Sequence, residues 1–130
     1  LSQEHGLVYI PTVSRPAECP DWSGRTGRAE DCFKPDGLEL LESSLSLSPG
    51  ALGPDQAVVL VCGLQGTIGQ SILRLAGRGF VPAEQKIRKA LDIPETRPAS
   101  LFFEQYDSDP VIDLEDQQVV ARLRADLGLE

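Results

Sequence analysis

The run Ala57-Val-Val-Leu-Val-Cys62, followed by Gly63 and Gly66, constrains the fold more than any other stretch of the chain. An apolar run without alternation suits an interior strand of a parallel sheet covered on both faces. The two glycines then supply a tight turn, and Thr67 is placed to cap a helix over Ile68–Arg78. Ile68, Ile72, Leu75 and Ala76 recur at the spacing of one helical face, and Gly77 and Gly79 end the helix. Strand, glycine turn and helix in succession make half of a βαβ unit. The fold class that follows is α/β, a mainly parallel sheet flanked by helices.

The rest of the chain supplies fewer certain elements. Leu7–Ser14 reads as a short buried strand in which Pro11 marks an irregularity. Residues 16–27 read as loop, Arg28–Phe33 as a turn of helix, and Lys34-Pro-Asp-Gly37 as its stop. Leu38–Gly53 is a connection with one short helix around Leu38–Ser43. Pro82–Leu91 is expected to be helical from Pro82 onward, with Ile87, Ala90 and Leu91 on one side. Ala99–Tyr106 is a further strand, and acidic turn residues then lead to a helix over Glu115–Leu127. Val119, Val120, Leu123 and Leu127 share one face of that helix.

Charge and cysteine usage narrow the chemistry. A net charge of −8 argues against a nucleic-acid partner, which phosphate contacts would attract to a basic protein. It leaves room for a nucleotide cofactor, because one anionic ligand needs only a few arginines. No apolar run approaches the ~18–20 residues that cross a bilayer, and the N-terminus lacks the features of a secretory signal. With no Met present, the chain is expected to begin partway through a larger protein. Cys19, Cys32 and Cys62 form no C-x-x-C pair and read as reduced thiols in a cytoplasmic protein. One histidine, His5, is too few for a His-rich metal site or a His-based triad.

Three places carry candidate chemistry. Ser14 and Arg15 stand where a strand gives way to a loop, the end of a parallel sheet at which ligands bind. A phosphate monoester there would take charge-assisted bonds from Arg15 and from Arg28, with Arg25 as the alternative. The same residues also suit a solvated loop with a surface salt bridge from arginine to Glu18 or Asp21. Gly63 after Cys62 leaves room for a flat ring against the backbone, whereas a buried structural thiol is the plainer reading of Cys62. Tyr106, two residues after Glu104, can stack on a conjugated cofactor while the acid orients it or relays a proton, or can simply finish a core. Arg74, Arg78, Lys86, Arg88, Lys89 and Arg97 form a basic region that either steers an acidic redox partner or is solvated helix surface.

The ordered set Val13-Ser-Arg15, Gly27-Arg28, Leu60-Val-Cys-Gly63 and Glu104-x-Tyr106 resembles the C-terminal half of ferredoxin/flavodoxin-NADP⁺ reductases. The resemblance implies a partial Rossmann-like nucleotide-binding domain. It assigns residues 1–106 to the C-terminal part of the NADP(H)-binding domain and leaves 107–130 as an extension, an acidic turn then a helix. It implies that Ser14, Arg15 and Arg28, with Arg25 as rival, surround the 2′-phosphate of NADP(H). Cys62 and Gly63 would approach the nicotinamide, and Leu64 and Gln65 would border the nucleotide. Glu104 and Tyr106 would match the family's terminal element, Tyr106 shielding the flavin until nicotinamide displaces it.

The implied cofactors are NADP and FAD, and the implied partner is ferredoxin or flavodoxin. No G-x-G-x-x-G occurs, so FAD would be held mainly by a segment absent from this chain, and the piece alone is expected to be inactive. A sheet truncated in this way has an exposed edge, which a homodimer would cover. Two other readings compete: a non-catalytic α/β domain binding a protein partner through its acidic tail, and an enzyme that uses the arginine loop for another phosphomonoester.

Overall fold

A computed structural model describes residues 6–129. The chain divides into two compact units, Leu1–Gly50 and Ala51–Glu130. Both are mixed α/β, with short parallel strand pairs and flanking helices.

In the first unit β1 (Thr12–Val13) lies parallel to β2 (Arg25–Thr26), Thr12 beside Arg25 and Val13 beside Thr26. Strands this short need help from their flanks. Thr12 Oγ1 donates to the Gly27 carbonyl at 3.0 Å, and the Gly27 N–H donates to the Val13 carbonyl at 3.0 Å. The Trp22 indole N–H donates to the Arg25 carbonyl at 2.7 Å, folding the intervening loop onto β2. A 3₁₀ turn at Ala29–Phe33 then leads into α1 (Pro35–Ser44). Pro35 stands in the first helical turn, where its fixed φ suits and its missing N–H is no loss. The segment expected to stop a helix therefore starts one. Gly37 permits the close approach, since a Cβ there would sit 2.5 Å from the Cys32 carbonyl oxygen.

The expected buried strand over Leu7–Ser14 shrinks to the two residues of β1. Leu7, Val8 and Tyr9 are exposed, Tyr9 by 77%. Pro11 cannot donate to a ladder, and β2 offers a partner for only two residues.

The second unit is built on β3 (Val59–Gly63), α2 (Gln65–Ala76), α3 (Gln85–Ala90), β4 (Leu101–Gln105) and α4 (Gln117–Asp126). β3 and β4 pair in parallel, from Val59 beside Leu101 to Gly63 beside Gln105. A parallel connection needs a long crossover, and α2 and α3 provide it. On the far side of β4 the extended residues 81–83 add a short third lane. The Leu101 N–H donates to the Val81 carbonyl, and the Ala83 N–H to the Leu101 carbonyl, both at 2.9 Å. The lateral order is 81–83, β4, β3. Pro82 is thus an extended residue beside β4 and not the start of a helix; α3 begins after Glu84, whose carboxylate accepts from the Ile87 N–H at 2.8 Å.

The periodicity of α2 is the one expected. Ile68, Ile72, Leu75 and Ala76 are buried, as are Val61 and Leu101 on the inner sheet face. α4 adds Leu123 and Leu127 to this core. Two arginines pin it: Arg97 donates to the Leu127 carbonyl and Arg124 to the Leu91 carbonyl. Arg88, expected among solvated basic residues, is buried instead. Its guanidinium donates to the carbonyls of Pro82, Pro94 and Arg97, stitching three loop positions together. No helix among the described residues is long and apolar enough to cross a membrane.

One expectation about β3 fails outright. The strand is covered on one face only: Val61 is buried, but Leu60 is 70% and Val58 66% exposed. Alternation is what separates them, because successive side chains of a strand point to opposite faces. An unbroken apolar run conceals that alternation.

Candidate functional site

The residues singled out from the sequence fall into two clusters, one in each unit. In the first unit, β1 and β2 run the same way, so Ser14 and Arg15 leave β1 at the same end at which Gly27 and Arg28 leave β2. Ser14, Arg15, Arg25 and Arg28 are all exposed. Arg15 lies 3.7 Å from Glu18 in a solvent-exposed ion pair, a contact worth little in water. The Arg28 backbone N–H donates to Asp31 at 3.0 Å, which fixes the loop while leaving the guanidinium uncommitted by that bond. Beside Arg25, burial pushes the Cys32 thiol above its ordinary pKa, and the Arg25 charge opposes that rise.

In the second unit the parallel register places Cys62 beside Glu104 and Gly63 beside Gln105 at the carboxyl ends of the strands. The Tyr106 N–H donates to the Gly63 carbonyl at 2.9 Å and carries the ladder one residue further. Tyr106 therefore stands next to Cys62. Hydrogen bonding between the phenol and the Cys62 sulfur raises the Tyr106 pKa, with smaller contributions from the charges of Cys62 and Glu104. Cys62 is exposed, so the plain reading of it as a buried thiol does not hold. Tyr106 does not finish a core either, being 64% exposed.

Around this trio the outer sheet face is apolar. Leu60 and Phe102 are register partners on it, and Val58 and Leu64 lie at its ends, all exposed. An exposed apolar face ending in a thiol, a carboxylate and a phenol can hold a flat conjugated ring and set hydrogen bonds at its rim. A Cβ on Gly63 would meet Thr67 of α2 at 3.5 Å, on the face opposite Cys62. Gln65 and Leu64 border the same end, Leu64 exposed and Gln65 half-buried at the start of α2.

The residue that sequence reasoning missed is Asp107. Its carboxylate accepts from the Gln65 N–H at 3.1 and 3.2 Å, and from Gln105 Nε2 at 2.7 Å. It takes the capping role expected of Thr67, closing the start of α2 from 42 residues downstream. Local pattern holds no signal for such a partner. Leu60 and Phe102 were also missed as surface residues, for the reason already given for β3. Among the described residues, no group of three or more His, Cys, Asp or Glu side chains is arranged to hold a metal ion.

Compared with known proteins, the chain matches no family model, no curated protein and no solved structure.

Proposed function

We propose that the chain is the NADP(H)-binding portion of a flavin-dependent oxidoreductase that exchanges electrons between NADP(H) and ferredoxin or flavodoxin through FAD. The observation that carries this reading is the meeting of Cys62, Gly63, Glu104 and Tyr106 at the carboxyl end of one parallel strand pair. The exposed apolar face beside them suits a flavin ring, and the rim formed by Cys62, Glu104 and Tyr106 suits a nicotinamide; the residues present fit both groups. In this reading β3 and β4 are two strands of a larger Rossmann-like sheet, and FAD is held mainly by residues outside this chain.

When bound, FAD supplies hydride exchange with nicotinamide and single-electron exchange with the carrier. Tyr106 covers the ring face and yields it to nicotinamide, Cys62 flanks the ring, and Glu104 holds a proton or a hydrogen bond at its rim. Ser14, Arg15 and Arg28, with Arg25 as rival, bind the 2′-phosphate that separates NADP(H) from NAD(H). A second reading, a non-catalytic domain that binds a protein partner through its acidic tail, has one observation behind it: Asp109, Asp113 and Glu115 line a cleft.

The test uses the full-length protein from which the chain comes, purified with its visible spectrum recorded, then titrated anaerobically with NADPH and NADH. Flavin bands should bleach at far lower NADPH than NADH. Arg15→Ala or Arg28→Ala should cost about 1.5–3 kcal/mol of NADPH binding, roughly tenfold to a hundredfold, and leave NADH unaffected. A colourless protein indifferent to both nucleotides would overturn the reading.

A further inference from the structure

A cleft of about 880 Å³ in the second unit lies beside β4; Cys62 and Tyr106 do not line it, although Gln65, at the border of the candidate site, does. Its floor includes Phe103, Val111 and Leu114, all half-buried, and the segment 108–115 forms one wall. Glu84, Asp109, Asp113 and Glu115 line it against the single cation Lys86. Among the described residues Glu84 and Asp113 accept backbone N–H bonds and enter no ion pair. An anion is unsuited to this site, because the helix starts at the cleft already hold carboxylates, Glu84 at α3 and Asp107 at α2.

The sheet edge at the cleft is open. Bonds from the Val59 N–H to Ser100 and from the Tyr106 N–H to Gly63 fix which β4 residues face β3: the even-numbered ones. Leu101 turns its backbone groups the other way, to Val81 and Ala83. By the same alternation the backbone groups of Phe103 and Gln105 also point away from β3, beyond the reach of the short 81–83 lane. Both residues line the cleft. Among the described residues no loop backbone group bonds to the backbone of either, although the Gln105 side-chain amide donates to the Asp109 carbonyl.

We propose that this cleft binds an extended basic peptide segment of a partner protein, which adds a strand to β4 at Phe103–Gln105. Its backbone pairs with the open edge, and its alternate Lys or Arg side chains, all on the cleft face, lay their apolar stems over Phe103, Val111 and Leu114 and carry their charges to Asp109, Asp113 and Glu115. Main-chain bonds supply affinity and side-chain pockets specificity in strand addition, and the rim charges speed encounter. The requirement for both an edge and a charged rim selects a peptide over a small cation. The inference needs neither nucleotide nor flavin, so it stands or falls apart from the redox reading.

The test uses the whole chain and a fluorescein-labelled synthetic peptide of about ten residues alternating Lys or Arg with Val. Binding is read by anisotropy and by the amide shifts of Phe103 and Gln105. The peptide should bind and move both amides. N-methylation of alternate peptide residues should weaken binding about tenfold through lost backbone bonds. The double variant Asp109→Asn/Glu115→Gln should weaken it roughly threefold to tenfold, less so at high salt. No binding, equal binding of the N-methylated peptide, equal binding of a Glu-for-Lys/Arg peptide, or the same amide shifts from spermine alone would each overturn the proposal.

Discussion

Of the 16 hydrophobic residues buried in the structure, 15 belong to residues 51–129 and one, Leu38, to residues 6–50. The second unit is a core with helices packed on one sheet face. The first is a two-residue strand pair, turns and one helix joined by specific hydrogen bonds, and two of its buried side chains, Glu30 and Glu42, are acidic. Apolar burial at ~25 cal/mol per Å² is the main stabilising term in folding. A unit with one buried aliphatic side chain draws little on it. The two units therefore hold their candidate residues differently: Cys62, Glu104 and Tyr106 stand on a packed core, and Ser14, Arg15, Arg25 and Arg28 on or beside loops held by local bonds.

The largest expected effect tests that division. Ile72→Ala, at a site that is 1% exposed, should cost about 2–5 kcal/mol through lost burial and the cavity left behind. Denaturant melting should reveal it, along with faster amide exchange across α2 and β4. Leu38→Ala should act locally, bringing the amides of α1 toward unprotected exchange rates. Ile72→Ala with melting unchanged would mean that the second unit does not rest on the core assigned to it.

How much of this was legible in the sequence follows from the reach of each interaction. The face of α2 was legible because Ile68, Ile72, Leu75 and Ala76 repeat within one helix. β4 and α4 were legible as elements for the same reason. What escaped were partners distant in sequence. Asp107 caps α2 across 42 residues, and Arg97 and Arg124 donate to the Leu127 and Leu91 carbonyls across 30 and 33 residues. The uncovered face of β3 escaped because Leu60 and Val61 are alike in hydropathy and differ only in which side they face. At the candidate site, the order of the motifs was legible, whereas the approach of Tyr106 to Cys62 depends on a register that no single strand encodes.

A middle-sized effect sharpens the comparison within α2. A Cβ on Gly69 would run into the carbonyl oxygen of Val111, the segment that walls the acidic cleft. Gly69→Ala should cost about 1–3 kcal/mol, since backbone on backbone has no rotamer to yield. Gly66, earlier in the same helix, has nothing within 4 Å. Gly66→Ala should be neutral or gain up to about 1 kcal/mol. Equal melting shifts for the two would show that residues 108–115 are not seated on α2 as described.

The smallest effect concerns the first unit and is read by chemistry. Cys19 and Cys62 are exposed, while Cys32 is half-buried with its pKa raised above 9.0 by burial. Iodoacetamide reacts with thiolate, so at pH 8 Cys32 should be alkylated about tenfold more slowly than the other two, as peptide mapping would measure. Arg25→Gln should slow Cys32 further, because the Arg25 charge favours the thiolate. The linked stability has a definite sign. The folded state holds the Cys32 proton to higher pH than the unfolded chain does, so the contribution is complete below pH 9 and is lost as pH rises through and above that value. Cys32 reacting as fast as Cys62 would mean that the 3₁₀ turn and α1 do not shield it. The first unit would then have even less interior than its single buried leucine suggests.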